Sequence, residues 1–268
     1  MKQKLAKLMA QFEIEIGMSY RFPVIEGFAA LIFLTPIWAA VLLWQAVDIL
    51  PDALEYFLFA EFGFSGMHLA TLMAGWAESF SIIVMVLVSF TVAKSFEDGY
   101  IQTLLTYPVE RVTVLLVKTI CVIIIPAGLI TFSCLFAILF IIPQAPLIGH
   151  VSIMLLGVWI SILLFAILSM LVAVITKKVS ATAIFGLAYG LVTPYLLNDT
   201  AVPNIIRVAL NPLGAAYRYI TSHSSYMMFG TEMTPLLDIQ IGFGISLMIS
   251  FIILAFTLWL FTRSEIGG

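Results

Sequence analysis

Charge is what this sequence has least of. Of 268 residues only 10% are charged, while 62% are hydrophobic. Soluble domains carry about 25% charged and 45–50% apolar residues. A globule of this length in water has no way to hide so much apolar surface, so a soluble enzyme, a nucleic-acid-binding module and a disordered chain are excluded. Cysteine is scarce too. Cys121 and Cys134 lie in one apolar run, and on one helix they would stand about 20 Å apart, too far for a disulfide. The three histidines, His68, His150 and His223, fall in separate loops, and His-Glu-x-x-His and Cys-x-x-Cys are missing. No metal site is expected. The phosphate-binding pattern Gly-x-x-x-x-Gly-Lys-Ser/Thr is absent, so the chain is expected to be no enzyme and to hold no cofactor of its own. The start does not read as a signal peptide, because Glu13 and Glu15 interrupt the run after Lys2, Lys4 and Lys7.

What is present is long apolar runs. A membrane-crossing helix needs about 20 apolar residues. Six stretches qualify, at about 27–47, 70–93, 113–142, 151–176, 179–197 and 240–262. The expected fold is an all-α polytopic membrane protein with six transmembrane helices. The third stretch is long enough to tilt or to break at Pro126. Only Lys177, Lys178 and Val179 separate the fourth from the fifth, which predicts a tight helical hairpin. Ahead of the first stretch, Leu5, Leu8, Met9, Phe12 and Ile16 recur at helical spacing, opposite Lys4, Lys7, Gln11 and Glu15. That pattern predicts an amphipathic helix on the membrane surface over 3–20, within an N-terminal segment 1–26 that precedes the transmembrane domain 27–268.

The basic residues fall unevenly. Lys2, Lys4, Lys7, Arg21, Lys94, Arg111, Lys118, Lys177, Lys178 and Arg263 lie on one side of these spans, and only Arg207 and Arg218 on the other. The positive-inside rule then predicts a multi-pass cell-membrane protein with both termini in the cytoplasm. Few ionisable groups fall within spans. Glu78, in the second, is expected to face protein or water. Gly63-Phe64-Ser65-Gly66 matches the Gly-x-Ser-Gly of rhomboid-type intramembrane proteases. Ser65, however, precedes the second span, and the last span has no histidine to activate a serine.

Two loops exceed simple connectors. The loop 94–112 contains apolar residues at 100, 101, 104, 105 and 107, which suit a short amphipathic helix ended by Pro108. The loop 198–239 contains an apolar segment, Ile205 to Ile220, too short and interrupted to cross. It suits helices that enter the outer side of the membrane and return, which the bilayer tolerates only when their backbone is covered by protein or lines a cavity.

This order of parts resembles the ABC-2-type permeases, the membrane subunits of ABC exporters of the type V fold. The segment Glu97-Asp98-Gly99-Tyr100-Ile101-Gln102-Thr103-Leu104-Leu105-Thr106-Tyr107-Pro108-Val109-Glu110-Arg111 is similar to that family's Glu-x-Gly-Thr-Leu-Glu-x-Leu-Leu-x-x-Pro-Val-x-Arg, with Tyr100-Ile101-Gln102 in place of Thr-Leu-Glu. Asn211-Pro212-Leu213 with Arg218 resembles a segment before the last span in the copper-site-assembly and sodium-export branches, and Phe261-Thr262-Arg263 resembles the family's exit from the membrane.

The resemblance implies an elbow helix at the N-terminus, a cytoplasmic coupling helix and outer re-entrant helices. It implies a permease that forms the membrane path, docked on two copies of a separate cytoplasmic ABC ATPase that carries ATP and Mg, and paired with a second permease copy or paralogue. The coupling residues would be Glu97, Asp98, Gly99, Tyr100, Leu104, Leu105, Pro108 and Arg111. An apolar face would enter a groove of the ATPase, and the acidic start would suit the positive end of the coupling helix. Glu78 and Asn198 are candidate pathway residues, and Gly186, Ala188 and Gly190 would permit close helix contact. Rival readings are a same-fold subunit that transmits motion to an extracytoplasmic partner, and an ion-driven carrier, which predicts inverted repeats and broken helices.

Overall fold

A computed structural model of the chain describes residues 82–106, 110–140, 148–196, 203–229 and 235–263, together with isolated helical residues between 9 and 41. We number the helices from residue 82. Helix α1 covers 82–97 and includes a π-helical turn, Ser89–Ala93, before Lys94–Glu97. It is followed by α2 (Tyr100–Thr106), α3 (Arg111–Phe140), α4 (Ile148–Thr176), α5 (Val179–Leu196), α6 (Asn204–Leu210), α7 (Pro212–Phe229) and α8 (Leu236–Arg263).

Three helices are long and apolar enough to cross a membrane: Arg111–Phe136, Val151–Thr176 and Leu236–Arg263. They mark the chain as a membrane protein, and they lie in the third, fourth and last of the six apolar stretches. In the fifth stretch, α5 has a shorter apolar helix, Val179–Val192. Of the surface helix 3–20 only Met9, Ala10, Glu13, Ile14 and Gly17 are described, all helical and exposed; most of the first stretch, and residues 70–81 of the second, whose remainder is α1, lie outside the described residues. Phe33, in the first stretch, stacks on Phe132 of α3 at 5.9 Å, and the Ser133 hydroxyl donates to the Phe33 carbonyl.

Helix α4 is apolar on every side, and such a helix belongs in the middle. It packs against α1, α3, α5, α7 and α8. Met154, Ile162, Ile167 and Met170 are fully or almost fully buried. Helix α8, less apolar than α4, turns much of its surface outward, with Met248, Phe251, Ile252 and Phe256 exposed for lipid. Helix α3 passes through Pro126 without a break. The proline is buried.

The α1–α5 contact depends on small residues, as the sequence suggests for two of its three candidates. A methyl at Gly186 would come within 2.6 Å of Met85 Cβ, and one at Gly190 would overlap Ile82. Ala188 instead points outward and is exposed.

Candidate functional site

Two places in the bundle concentrate polar chemistry, and they lie at different depths. The first is the end where α1, α2, the start of α3, the α4–α5 corner and the last turn of α8 meet. It carries Lys94, Arg111, Lys177, Lys178 and Arg263, and we call it the basic end. Here α1 stops because Gly99 takes φ +71°, and its N–H bonds the Phe96 carbonyl at 3.2 Å. Glycine adopts that left-handed geometry without steric cost. The chain then turns into α2.

The loop's acids do not serve α2. Glu97 reaches across the bundle, and its Oε2 accepts the Val179 N–H at 3.3 Å, at the first residue of α5. It caps a helix other than its own, where the positive end favours a carboxylate. Asp98 pairs with Lys94 one turn back, at 3.2 Å. Both partners are exposed, so the pair contributes about 0–1 kcal/mol.

The apolar side of α2 is used by the protein itself. Ile101 is fully buried, and Leu105 packs on the core. Leu104 is half-buried, and Gln102, Thr103 and Thr106 face outward. This differs from the expectation of an apolar face offered to a groove: the face left open to a partner is polar.

Three further links tie this segment down. The Lys118 ammonium, 2% exposed, donates to Ser95 Oγ at 3.1 Å and lies 5.4 Å from the centre of the Tyr100 ring. The Arg111 guanidinium donates to the Thr262 carbonyl at 3.3 Å. Phe96 meets Phe261 edge-to-face at 5.9 Å. Arg263 then covers the Trp259 ring at 4.5 Å, a pairing suited to a membrane interface.

The second place is the junction of α6 and α7. At Asn211 the backbone leaves the helical region (φ −138°, ψ 75°). Ser161 on α4 and Ser246 on α8 both touch the junction, and each lies about 22 Å along its helix from the basic end. A hydrocarbon core is about 30 Å thick, so the break is at membrane depth. A helix start and a helix end there leave backbone groups that need partners. Pro212, at the first position of α7, has no N–H to satisfy. The Leu213 N–H goes to Ser161 Oγ at 2.9 Å and the Gly214 N–H to Asn211 Oδ1 at 2.9 Å. On the other side, the Asn211 N–H bonds the Arg207 carbonyl at 2.9 Å, Ser246 Oγ donates to the Ala209 carbonyl, and Tyr189 Oη donates to the Leu210 carbonyl at 3.1 Å. Helices α6 and α7 thus form a hairpin seated among α4, α5 and α8. Val208 is pressed against Gly242, where even a methyl would overlap it.

The structure therefore brings Glu97, Asp98, Gly99, Tyr100, Leu104, Leu105 and Arg111 to one end, and Asn211 and Pro212 to the buried break, with Arg218 two turns along α7. Glu78, Asn198 and Pro108 lie outside the described residues. Ser161, Ser246, Tyr189 and Lys118 were not singled out as site residues from the sequence. For the two serines and Tyr189 the only signal is a polar group within an apolar helix; Lys118 is also the early lysine of the apolar run that follows the 97–111 segment. Among the described residues no group of three His, Cys, Asp or Glu side chains is placed to hold a metal. No family model, no curated protein and no solved structure matches this chain.

Proposed function

We propose that this chain is the permease subunit of an ATP-driven exporter of the ABC-2 type, with the basic end in the cytoplasm and α2 as the helix that receives the ATPase. One observation carries the reading. A short helix stands at the basic end of an apolar bundle, and its flanks are bonded to the start of α5 through Glu97 and to the end of α8 through Arg111. A push on such a helix reaches several long helices at once, which is the rigid-body input a transport cycle requires. The outward face of Gln102, Thr103 and Thr106 is the contact surface, with Glu110 and Arg111 at its rim. Two permease copies, or one and a paralogue, would enclose the path, and ATP and Mg would bind on the partner.

The test is purification of the full tagged chain from its native membrane in mild detergent, as wild type and as Gln102→Trp/Thr103→Arg. The expected result is a stoichiometric partner with a phosphate-binding loop and ATPase activity in the wild-type eluate. The variant should lose both while keeping its yield and unfolding midpoint. A wild-type chain that emerges alone from several detergents would sink the proposal and bring forward the ion-driven carrier.

The α6–α7 hairpin favours a second reading, in which the same machine moves an extracytoplasmic partner. Exchange of residues 198–239 would then abolish activity and leave ATPase binding intact.

A further inference from the structure

The two arginines that the sequence places apart from all other basic residues come together in the structure. Arg207 of α6 and Arg218 of α7 line one open pocket, with Asn211 at the hairpin turn and with Val208 and Ile239 as its apolar wall. Ile239 is about 33 Å along α8 from Phe261 at the basic end. That is about one hydrocarbon thickness, so the pocket opens at the headgroup level of the leaflet opposite the basic end.

The donor set is specific. A guanidinium keeps its charge at any physiological pH, and its planar fork matches two oxygens of a phosphate. Each arginine also keeps a contact within the protein. Five N–H donors per guanidinium leave room for a second acceptor. Asn211 is buried, and its Oδ1 is committed to the Gly214 N–H. The end of that amide left for another partner is the donating NH2. The first-turn N–H groups of α7 already have partners, so the recognition would come from side chains.

From this geometry we infer that the pocket holds a phosphate group, supplied by the headgroup of an anionic phospholipid in the leaflet opposite the basic end. The inference rests on the chain crossing the membrane and is independent of the ATPase reading.

The full chain would be reconstituted in bilayers of equal parts phosphatidylcholine and phosphatidylglycerol. After extraction, retained lipid would be counted by native mass spectrometry. Wild type should retain phosphatidylglycerol in preference to phosphatidylcholine, and Arg207→Gln/Arg218→Gln should retain about tenfold less, the loss of roughly one charge-assisted hydrogen bond. Lys177→Gln/Lys178→Gln, at the basic end, should retain as much as wild type. Equal retention by the arginine variant and wild type overturns the site. Displacement of the lipid by millimolar inorganic phosphate, with phosphate then bound alone, keeps the phosphate site but rejects the lipid as its source. Should the arginine variant fail to fold, a photoactivatable phosphatidylglycerol on wild type decides. Labels on the peptides that contain Arg207, Arg218 and Ile239 uphold the site, and labels only elsewhere overturn it.

Discussion

Asn211 closes α6 and opens α7 with one side chain and two backbone groups. Its replacement by alanine strands the Gly214 N–H. We expect Asn211→Ala to destabilise the chain by about 1–2 kcal/mol, and Asn211→Ser, which keeps a capping oxygen, to recover most of that. Thermal unfolding in detergent, read for all three proteins, checks the order. Glycines offer a paired control on the same helix. A methyl at Gly242 would overlap Val208, while one at Gly244 meets nothing within 4 Å. Gly242→Ala should therefore lower stability by about 1–3 kcal/mol, as overpacked sites do. Gly244→Ala should be neutral or stabilising by up to about 1 kcal/mol. Equal effects of the two would show that α6 does not sit against α8 as described. At this scale the sequence is half legible. Asn-Pro is a readable start for a helix, because asparagine caps and proline needs no partner. The far ends of the bonds are not readable, since a serine at position 161 or 246 gives no sign of which distant backbone group it will meet.

Among the elements, α2 shows best where reading from sequence stops. Its apolar spacing indicates a helix with one buried side. It does not say whether that side is buried in its own bundle or in another protein, and Ile101 chose the bundle. Glu97 is a similar case: acidic residues beside a helix start suggest that they serve it, and this one serves α5 instead. Lys118 ties α3 to α1 and to Tyr100 of α2. Its replacement by methionine keeps the length and apolar stem and removes the charge. Lys118→Met should leave the long helices intact and speed amide exchange over 100–106 by about tenfold, a loss of roughly 1.4 kcal/mol in local stability. Unchanged exchange there would show that the lysine does not hold α2. The π-helical turn Ser89–Ala93 lies just ahead of this region. The Ser89 and Thr91 hydroxyls bond the carbonyls of Val86 and Leu87. Nothing in the spacing of so apolar a run announces that wider turn. Pro126 errs in the other direction: its presence suggests a break, and α3 runs through it as one helix.

For the whole molecule, composition alone indicates a membrane protein, because a charge content of 10% leaves no alternative for a chain of this length. Its sidedness can be measured directly. Cys121 and Cys134 are buried, so they give little background to an impermeant thiol reagent. In sealed vesicles, Lys178→Cys and Thr262→Cys should label from one side, and Pro235→Cys, at the start of α8, from the other. Labelling of 178 and 262 from opposite sides would refute the shared basic end.

The hairpin of α6 and α7 enters the bundle and leaves it at the same end, so it does not change the end at which α8 finishes. From Arg111 the chain travels out along α3, back along α4, out along α5 and back along α8. That even count is why Arg111 and Thr262, 151 positions apart, can share a hydrogen bond. A hairpin that ran the length of the bundle as a single helix would leave those two residues at opposite ends of it.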